Sequence, residues 1–249
     1  NRKELVESLP NLSAIILEKP IGRNLQEAKE FMAICNHKNI RVQVNFLRRA
    51  DVTTRKLANG HIETEIGEIQ TANIHYGNGL HNNGSHMIDL VRMILGEIVS
   101  VQVISKAPSF VEGPIDSDIN LSCILFLDSG ISVNMTPINF SHYRENSLDV
   151  WGSKGRLAFT QEGSMLYRWP CVVNRLIDDE FEIAWDSGTV ERTTMGHAFY
   201  ELYDNLSSSL LGDNNLLSSV DSAFKTQLIL DAIISSHNNN GSMVEITYD

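Results

Sequence analysis

Between residues 12 and 45 the spacing of apolar residues changes twice. Leu-Ser-Ala-Ile-Ile-Leu-Glu at 12–18 is a nearly unbroken apolar run rich in β-branched residues, as in a strand buried on both faces of a parallel sheet. Pro20 and Gly22 end it. Asn24-Leu25-Gln26-Glu27 has the spacing of a capping box, and Leu25, Ala28, Phe31, Met32 and Cys35 continue at helical intervals as far as the polar stretch 36–39. Ile40, Val42 and Val44 then alternate as a second strand. Strand, helix and strand form one right-handed βαβ crossover, a single unit of a larger parallel sheet.

Beyond residue 46 the texture changes. A helix is expected over 51–58, closed by Asn59-Gly60, then a strand over 66–76, a helix over 85–95 ended by Gly96, and a strand over 98–106. Ile119, Leu121, Cys123, Leu125 and Leu127 alternate up to Asp128-Ser129-Gly130, and Ile131, Val133 and Met135 alternate away from it, which predicts a hairpin. Short strands at 148–151, 156–160 and 164–169 extend the meander. Helices over 197–211 and 220–237 and a strand over 243–247 close the chain. The order predicts α/β plus α+β: residues 1–45 as the tail of an α/β domain, and residues 46–249 as a domain with a large, mostly antiparallel open sheet. Helices should cover one face of that sheet, leaving the other for a homo-dimer or homo-tetramer contact.

The composition narrows the function classes. Of 249 residues, 42% are hydrophobic, enough for a sizeable core. With 20 Lys plus Arg against 31 Asp plus Glu, the formal net charge of −11 disfavours nucleic acid or an anionic membrane as partner. No apolar run reaches the roughly 20 residues of a membrane helix. Three widely spaced cysteines, Cys35, Cys123 and Cys171, suit buried free thiols in a reducing, cytoplasmic setting better than a disulfide scaffold. The Asn-x-Ser/Thr triplets, such as Asn11-Leu12-Ser13, are read as chance. The chain starts at Asn1, and its true N-terminus is expected to be missing.

Polar chemistry concentrates in three places. Glu18-Lys19-Pro20 ends the first parallel strand, on the side where open α/β sheets bind ligands. There an ammonium can hold a substrate oxygen, or simply be solvated. His81-Asn82-Asn83-Gly84-Ser85-His86 runs into a helix, where free backbone N–H groups favour negative charge. His86 can transfer protons near neutral pH, or serve as a cap or core group, and Asn82 can fix its tautomer or hold the same substrate group. Arg48-Arg49 ends the second parallel strand as a carboxylate or phosphate contact or a surface pair. His75, His81, His86 and Asp89 match no zinc spacing, so no metal is expected. Gly77-Asn78-Gly79 with Gly84 is not a dinucleotide fingerprint, and no stretch of the 249 residues supplies one, a P-loop or a nucleophile elbow.

Together these residues resemble the Gfo/Idh/MocA family of NAD(P)-dependent oxidoreductases. Glu18-Lys19-Pro20-Ile21-Gly22 is similar to its E-K-P motif, Val44 to Asp51 to the following strand end, Asn82 to Leu90 with Gly96 to its histidine segment, and Ala223 to Ile233 to its last helix. The resemblance implies a Rossmann domain, of which residues 1–45 are a remnant with one βαβ unit, and a substrate and oligomerisation domain over 46–249. It implies hydride transfer between NAD or NADP and a CH–OH group of a sugar, polyol or derivative. Lys19, His86 and Asn82 would be catalytic, Glu18, Pro20 and Arg48 would lie by the cofactor, and Arg49 and His81 by the substrate. Asn82 stands at an Asp/Asn position of the family and cannot titrate, so it can only orient. Most of the cofactor site is absent from these residues, so the piece alone is expected to be inactive. A non-catalytic relative used for dimerisation or ligand binding is the alternative.

Overall fold

The computed structural model describes residues 2–106, 113–212 and 215–248. Helix α1 (Arg2–Ser8) precedes β1 (Ala14–Leu17), α2 (Leu25–His37) and β2 (Arg41–Val44), and β1 and β2 pair in parallel as the crossover requires. Asn24 caps α2 by accepting from the Glu27 backbone N–H at 2.9 Å. Glu27 reaches back to the Arg23 N–H, at 2.9 Å, rather than to that of Asn24, so only half of the capping box forms.

The second part contains α3 (Val52–Arg55), α4 (His61–Ile66), β3 (Ile69–Tyr76), α5 (Ser85–Ile94), β4 (Ile98–Lys106), β5 (Leu121–Leu127), β6 (Ser132–Pro137), β7 (Ser147–Gly152), β8 (Gly155–Thr160), β9 (Met165–Val173), β10 (Phe181–Ile183), β11 (Thr189–Arg192), α6 (Ala198–Leu210), α7 (Val220–Asn238) and β12 (Val244–Glu245). Among the described residues the strands form one sheet in the order β10-β9-β8-β7-β3-β6-β5-β4-β12, with β11 also pairing β9. Within this sheet, among the described residues, only β3 and β6 pair in parallel; the other pairs are antiparallel. The hairpin at Asp128-Ser129-Gly130 joins β5 and β6 as the alternation predicts.

Three local expectations are corrected. The helix expected over 51–58 is a single turn, α3, ending in turns before Asn59 and Gly60, both at positive φ. The strand expected from Ile66 starts at Ile69, because Ile62 and Ile66 lie four apart and bury together on α4, which Gly67 ends at φ +75°. Strands β10 and β11 escaped the alternation test because they are short and mostly exposed. Cys171 is half-buried, whereas Cys35 and Cys123 are enclosed; all three are free.

Among the described residues a minor apolar cluster of Ala50, Ala198 and Leu202 accompanies two main cores. The smaller main core is built by Val6, Leu17, Phe31, Cys35, Val42, Val44 and their neighbours, and the larger by one face of the big sheet with α4, α5 and α7. Helix α7 belongs to both, giving Val220, Ala223 and Phe224 to the first and Ile229, Leu230 and Ile233 to the second. Along β5 the strict alternation of enclosed and half-exposed residues shows which face the helices cover. No helix among the described residues is long and apolar enough to cross a membrane.

Tyr76, fully enclosed at the end of β3, both donates to the Leu121 carbonyl and accepts from the Leu121 N–H, each at 2.8 Å. This bridge ties the strand that launches the polar loop to the start of β5. Tyr76→Phe would leave a buried N–H and C=O unpaired, and urea unfolding is expected to show a loss of about 1–3 kcal/mol; no loss would mean that the bridge is unimportant.

Candidate active site

The carboxyl ends of β1 and β2 and the loop before α5 converge. Lys19 follows β1, and its ammonium donates to the Asn82 side-chain oxygen and to the Asn82 carbonyl, both at 2.9 Å, with the His81 carbonyl at 3.5 Å. The Lys19–Pro20 peptide is cis. Half-burial draws the Lys19 pKa below its ordinary value, against the pull of Glu18 and Asp118. Glu18 accepts from the Asn45 amide at 2.5 Å, joining the two strand ends. The Arg2 guanidinium, on α1, donates to the Glu18 carbonyl at 3.0 Å and to those of Pro20 and Ile21.

The polar loop is shaped by Asp118, just before β5. Residues Leu80–Gly84 form a wide π turn, with the Gly84 N–H bonded to the Gly79 carbonyl at 3.1 Å, and this turn runs directly into α5. The helical path therefore starts at Leu80, and its first N–H groups are already capped. Those of His81 and Asn82 bond the Asp118 carboxylate at 3.1 and 3.0 Å, and that of Leu80 bonds the Ile119 carbonyl at 2.9 Å. The helix start expected to attract an anionic ligand is thus satisfied internally by an aspartate. Gly79, at φ +100°, is required here, since a Cβ would lie 2.0 Å from the Asp118 carboxylate. Burial raises the Asp118 pKa, but the hydrogen bonds from His81 and Asn82 outweigh it and hold the carboxylate below its ordinary value.

His86 sits on the first turn of α5, edge-on to Phe46 with ring centroids 5.4 Å apart. Its Nδ1 is enclosed and has no hydrogen-bond partner. Burial, reinforced by the positive charges of Arg48 and Lys19, drives its pKa well below the ordinary value, so the imidazole is neutral at pH 7. Asn82 does not bond it. Its side-chain oxygen accepts from Lys19 while its amide donates to the Asn78 carbonyl at 3.1 Å, so Asn82 orients the lysine and not the imidazole.

The two arginines part company. Arg49 pairs with the buried Asp89 at 2.8 Å, which also accepts from Thr226 on α7 at 3.1 Å. Arg48 is buried, donates to the Glu162 carbonyl at 3.1 Å, and keeps an enclosed, unpartnered Nε. His81 is half-exposed, with Nδ1 3.1 Å from Asp118. The structure thus gathers Lys19, Asn82, His81, His86 and Arg48 around the strand ends, beside a small pocket lined by Pro20, Phe46, Thr226 and Gln227. Arg49 it turns inward. Sequence reasoning missed Asp118, more than thirty residues from the loop it holds. Its only local sign is the acidic Asp116-Ser117-Asp118 run ahead of an alternating strand. Among the described residues, no group of three His, Cys, Asp or Glu could hold a metal ion.

Comparison with known proteins locates a family match within the second part of the chain. Residues 69–158, from β3 into β8, match the GFO/IDH/MocA C-terminal domain, the family that the sequence motifs resemble. No curated protein sequence matches. Among solved structures, an NAD binding oxidoreductase from Klebsiella pneumoniae superposes at TM-score 0.76 and 16% identity, covering 100% of this chain and 77% of that one. An inositol dehydrogenase homolog from Azotobacter vinelandii, complexed with NADH and myo-inositol, gives 0.75 at 16% identity, covering 98% and 74%. A super-repressor mutant of Gal80p from Saccharomyces cerevisiae gives 0.79 at 12%, covering 99% and 78%. At these identities the likeness establishes the fold.

A depressed His86 pKa has a signed consequence. An unfolded imidazole binds a proton below about pH 6.5, while folded His86 does not, so this residue's contribution to stability is intact above that pH and falls as pH drops toward the folded value. An NMR titration is expected to show His86 neutral at pH 6, with Arg48→Gln moving its pKa upward. A midpoint at or above the ordinary value would contradict the site's electrostatics.

Proposed function

We propose that the chain is the substrate half of an NAD(P)-dependent oxidoreductase, which moves a hydride between the nicotinamide and a CH–OH carbon of a sugar, polyol or derivative. The observation that carries the reading is the pairing of a half-buried ammonium, held by Asn82 at 2.9 Å, with a neutral buried imidazole close enough to feel its charge. Lys19 donates a hydrogen bond to the reacting oxygen and stabilises negative charge there. His86, neutral, accepts the hydroxyl proton as the carbonyl forms and returns it in the reverse direction. Asn82 fixes Lys19, and His81 borders the substrate side, while Arg49, expected there from the family resemblance, is held by Asp89.

The chain's strand ends suit the nicotinamide end of such a cofactor. Asn45 Oδ1 is an enclosed acceptor without a partner, beside Glu18 and Pro20 at the crevice where dinucleotides lie in open α/β sheets. When bound, the cofactor supplies the hydride acceptor or donor. The NADH and myo-inositol held by the Azotobacter vinelandii homolog support this reading by likeness of fold. We assign residues 1–45 to the cofactor domain and 46–249 to the substrate domain. The exposed Val173, Phe181 and Val190 on the β9–β10–β11 end of the sheet support self-association, and the free cysteines suit the cytoplasm.

A second reading is favoured by the likeness to Gal80p: a binding module in which Lys19 and His86 only pack. Lys19→Met and His86→Ala in the full-length protein separate the two. Each is expected to lower kcat/KM about 10²–10⁴-fold for the reacting alcohol. Rates unchanged by both substitutions would favour the binding module.

A further inference from the structure

Arg48 is out of balance with its surroundings. It is 8% exposed, and among the described residues it forms no ion pair and one hydrogen bond, from Nη2 to the Glu162 carbonyl. A buried guanidinium without an ion-pair partner is costly, and its enclosed, unpartnered Nε adds to the cost. The carboxylates that attract it are Glu162, Asp89 and Asp51, and none of them forms an ion pair with it. Asp89 holds Arg49 and Thr226. Asp51 accepts from the Thr54 N–H at 2.8 Å, from the Thr54 hydroxyl and from Thr194. Glu162 accepts from the Asn146 amide at 2.8 Å through one oxygen, and its other oxygen lies 3.8 Å from Arg144 without a hydrogen bond.

The neighbourhood repeats the imbalance. Lys19 forms no ion pair among the described residues, and the one enclosed carboxylate beside it, Asp118, is occupied by the N–H groups of the loop. His86 Nδ1 is a second enclosed atom with no partner. The carbonyl that Arg48 does reach is aimed by three successive residues at positive φ, Gln161 at 52°, Glu162 at 61° and Gly163 at 90°. Two non-glycine residues in that region carry backbone strain. A neutral carbonyl is a weak partner for a guanidinium, whereas a carboxylate or phosphate can take two of its N–H groups at once.

We propose that the substrate of this site carries an anionic oxygen group, a carboxylate or a phosphate, and that Arg48 is the residue that selects it. This rests on the oxidoreductase reading above and moves Arg48 from the cofactor contact implied by the family resemblance to substrate specificity. An oxidised nicotinamide is itself cationic, so a third positive charge beside Lys19 and Arg48 is better tolerated when the substrate brings a negative one.

Calorimetry on the full-length protein without cofactor tests it. The probes are gluconate and glucuronate, glucose 6-phosphate, and neutral glucose and myo-inositol. One anionic class is expected to bind at least roughly ten-fold tighter than the neutral sugars, and which class does so distinguishes carboxylate from phosphate. Arg48→Gln should abolish the preference, and Arg48→Lys should retain part of it. Equal binding of charged and neutral probes by the unaltered protein, or no binding of any anion, overturns the proposal without relying on a variant that must fold. A preference that survives Arg48→Gln, with only NADH affinity reduced, also overturns it and returns Arg48 to the cofactor. Hydride transfer is assayed in parallel with the same probes. An anion preference without turnover keeps the anion site and defeats the oxidoreductase reading, and turnover with no charge preference does the reverse.

Discussion

The carboxylate of Asp89 pins together three pieces of chain that no single apolar core contains. It is 1% exposed, a burial that a charge survives only with paired partners. One partner, Arg49, comes from the turn after β2, another, Thr226, from α7, and Arg92 lies 3.6 Å away on the same helix, α5. Arg92 is in turn bonded to the Ser222 carbonyl at 2.6 Å and to Glu97 at 2.7 Å. The turn that carries Phe46, Arg48 and Arg49 is thereby locked against the helix that carries His86. Because Asp89 consumes Arg49, the charge left at the site belongs to Arg48.

A polar seam continues the junction. The Val44 N–H bonds the Ser218 carbonyl at 2.8 Å, Gln43 reaches the Leu202 carbonyl and the Asn205 side chain, and the Gln227 amide bonds the Gly22 carbonyl at 2.9 Å. Helix α7 then supplies apolar residues to both cores. The strand ends that offer Lys19 and the loop that offers Asn82 thus face one another because the elements behind them are joined. Among the described residues the cleft between them holds two cations without ion-pair partners, a neutral imidazole, the Glu18 carboxylate bonded to Asn45, and an aspartate held by the N–H groups of the loop.

Most of this was legible where periodicity and chemistry coincide. The βαβ unit, the 128–130 hairpin and the helices over α5 and α7 follow from spacing alone, because each buries one regular stripe or face. The sheet's strand order was not legible, since pairing β3 in parallel with β6 depends on contacts far apart in sequence. Short exposed strands such as β10 and β11 carry no burial signal. At the site, Lys19, Asn82 and His86 could be named from type and position, but their couplings could not. Asn82 serves the lysine instead of the histidine, and Asp118 occupies the helix start that looked available to a ligand, because a distant carboxylate reaches those N–H groups first. Likewise, nothing in Arg48-Arg49 tells which arginine a buried aspartate will claim.

The central claim is that Lys19 and Asn82 act as one unit across the two cores, and a double-mutant cycle measures that coupling directly. Urea unfolding of the native protein, Lys19→Met, Asn82→Ala and the double variant should give an interaction energy of about 1 kcal/mol, the double variant losing less than the sum of the single losses. Strictly additive losses would contradict the account, since the strand end and the polar loop would then be neighbours without being a site.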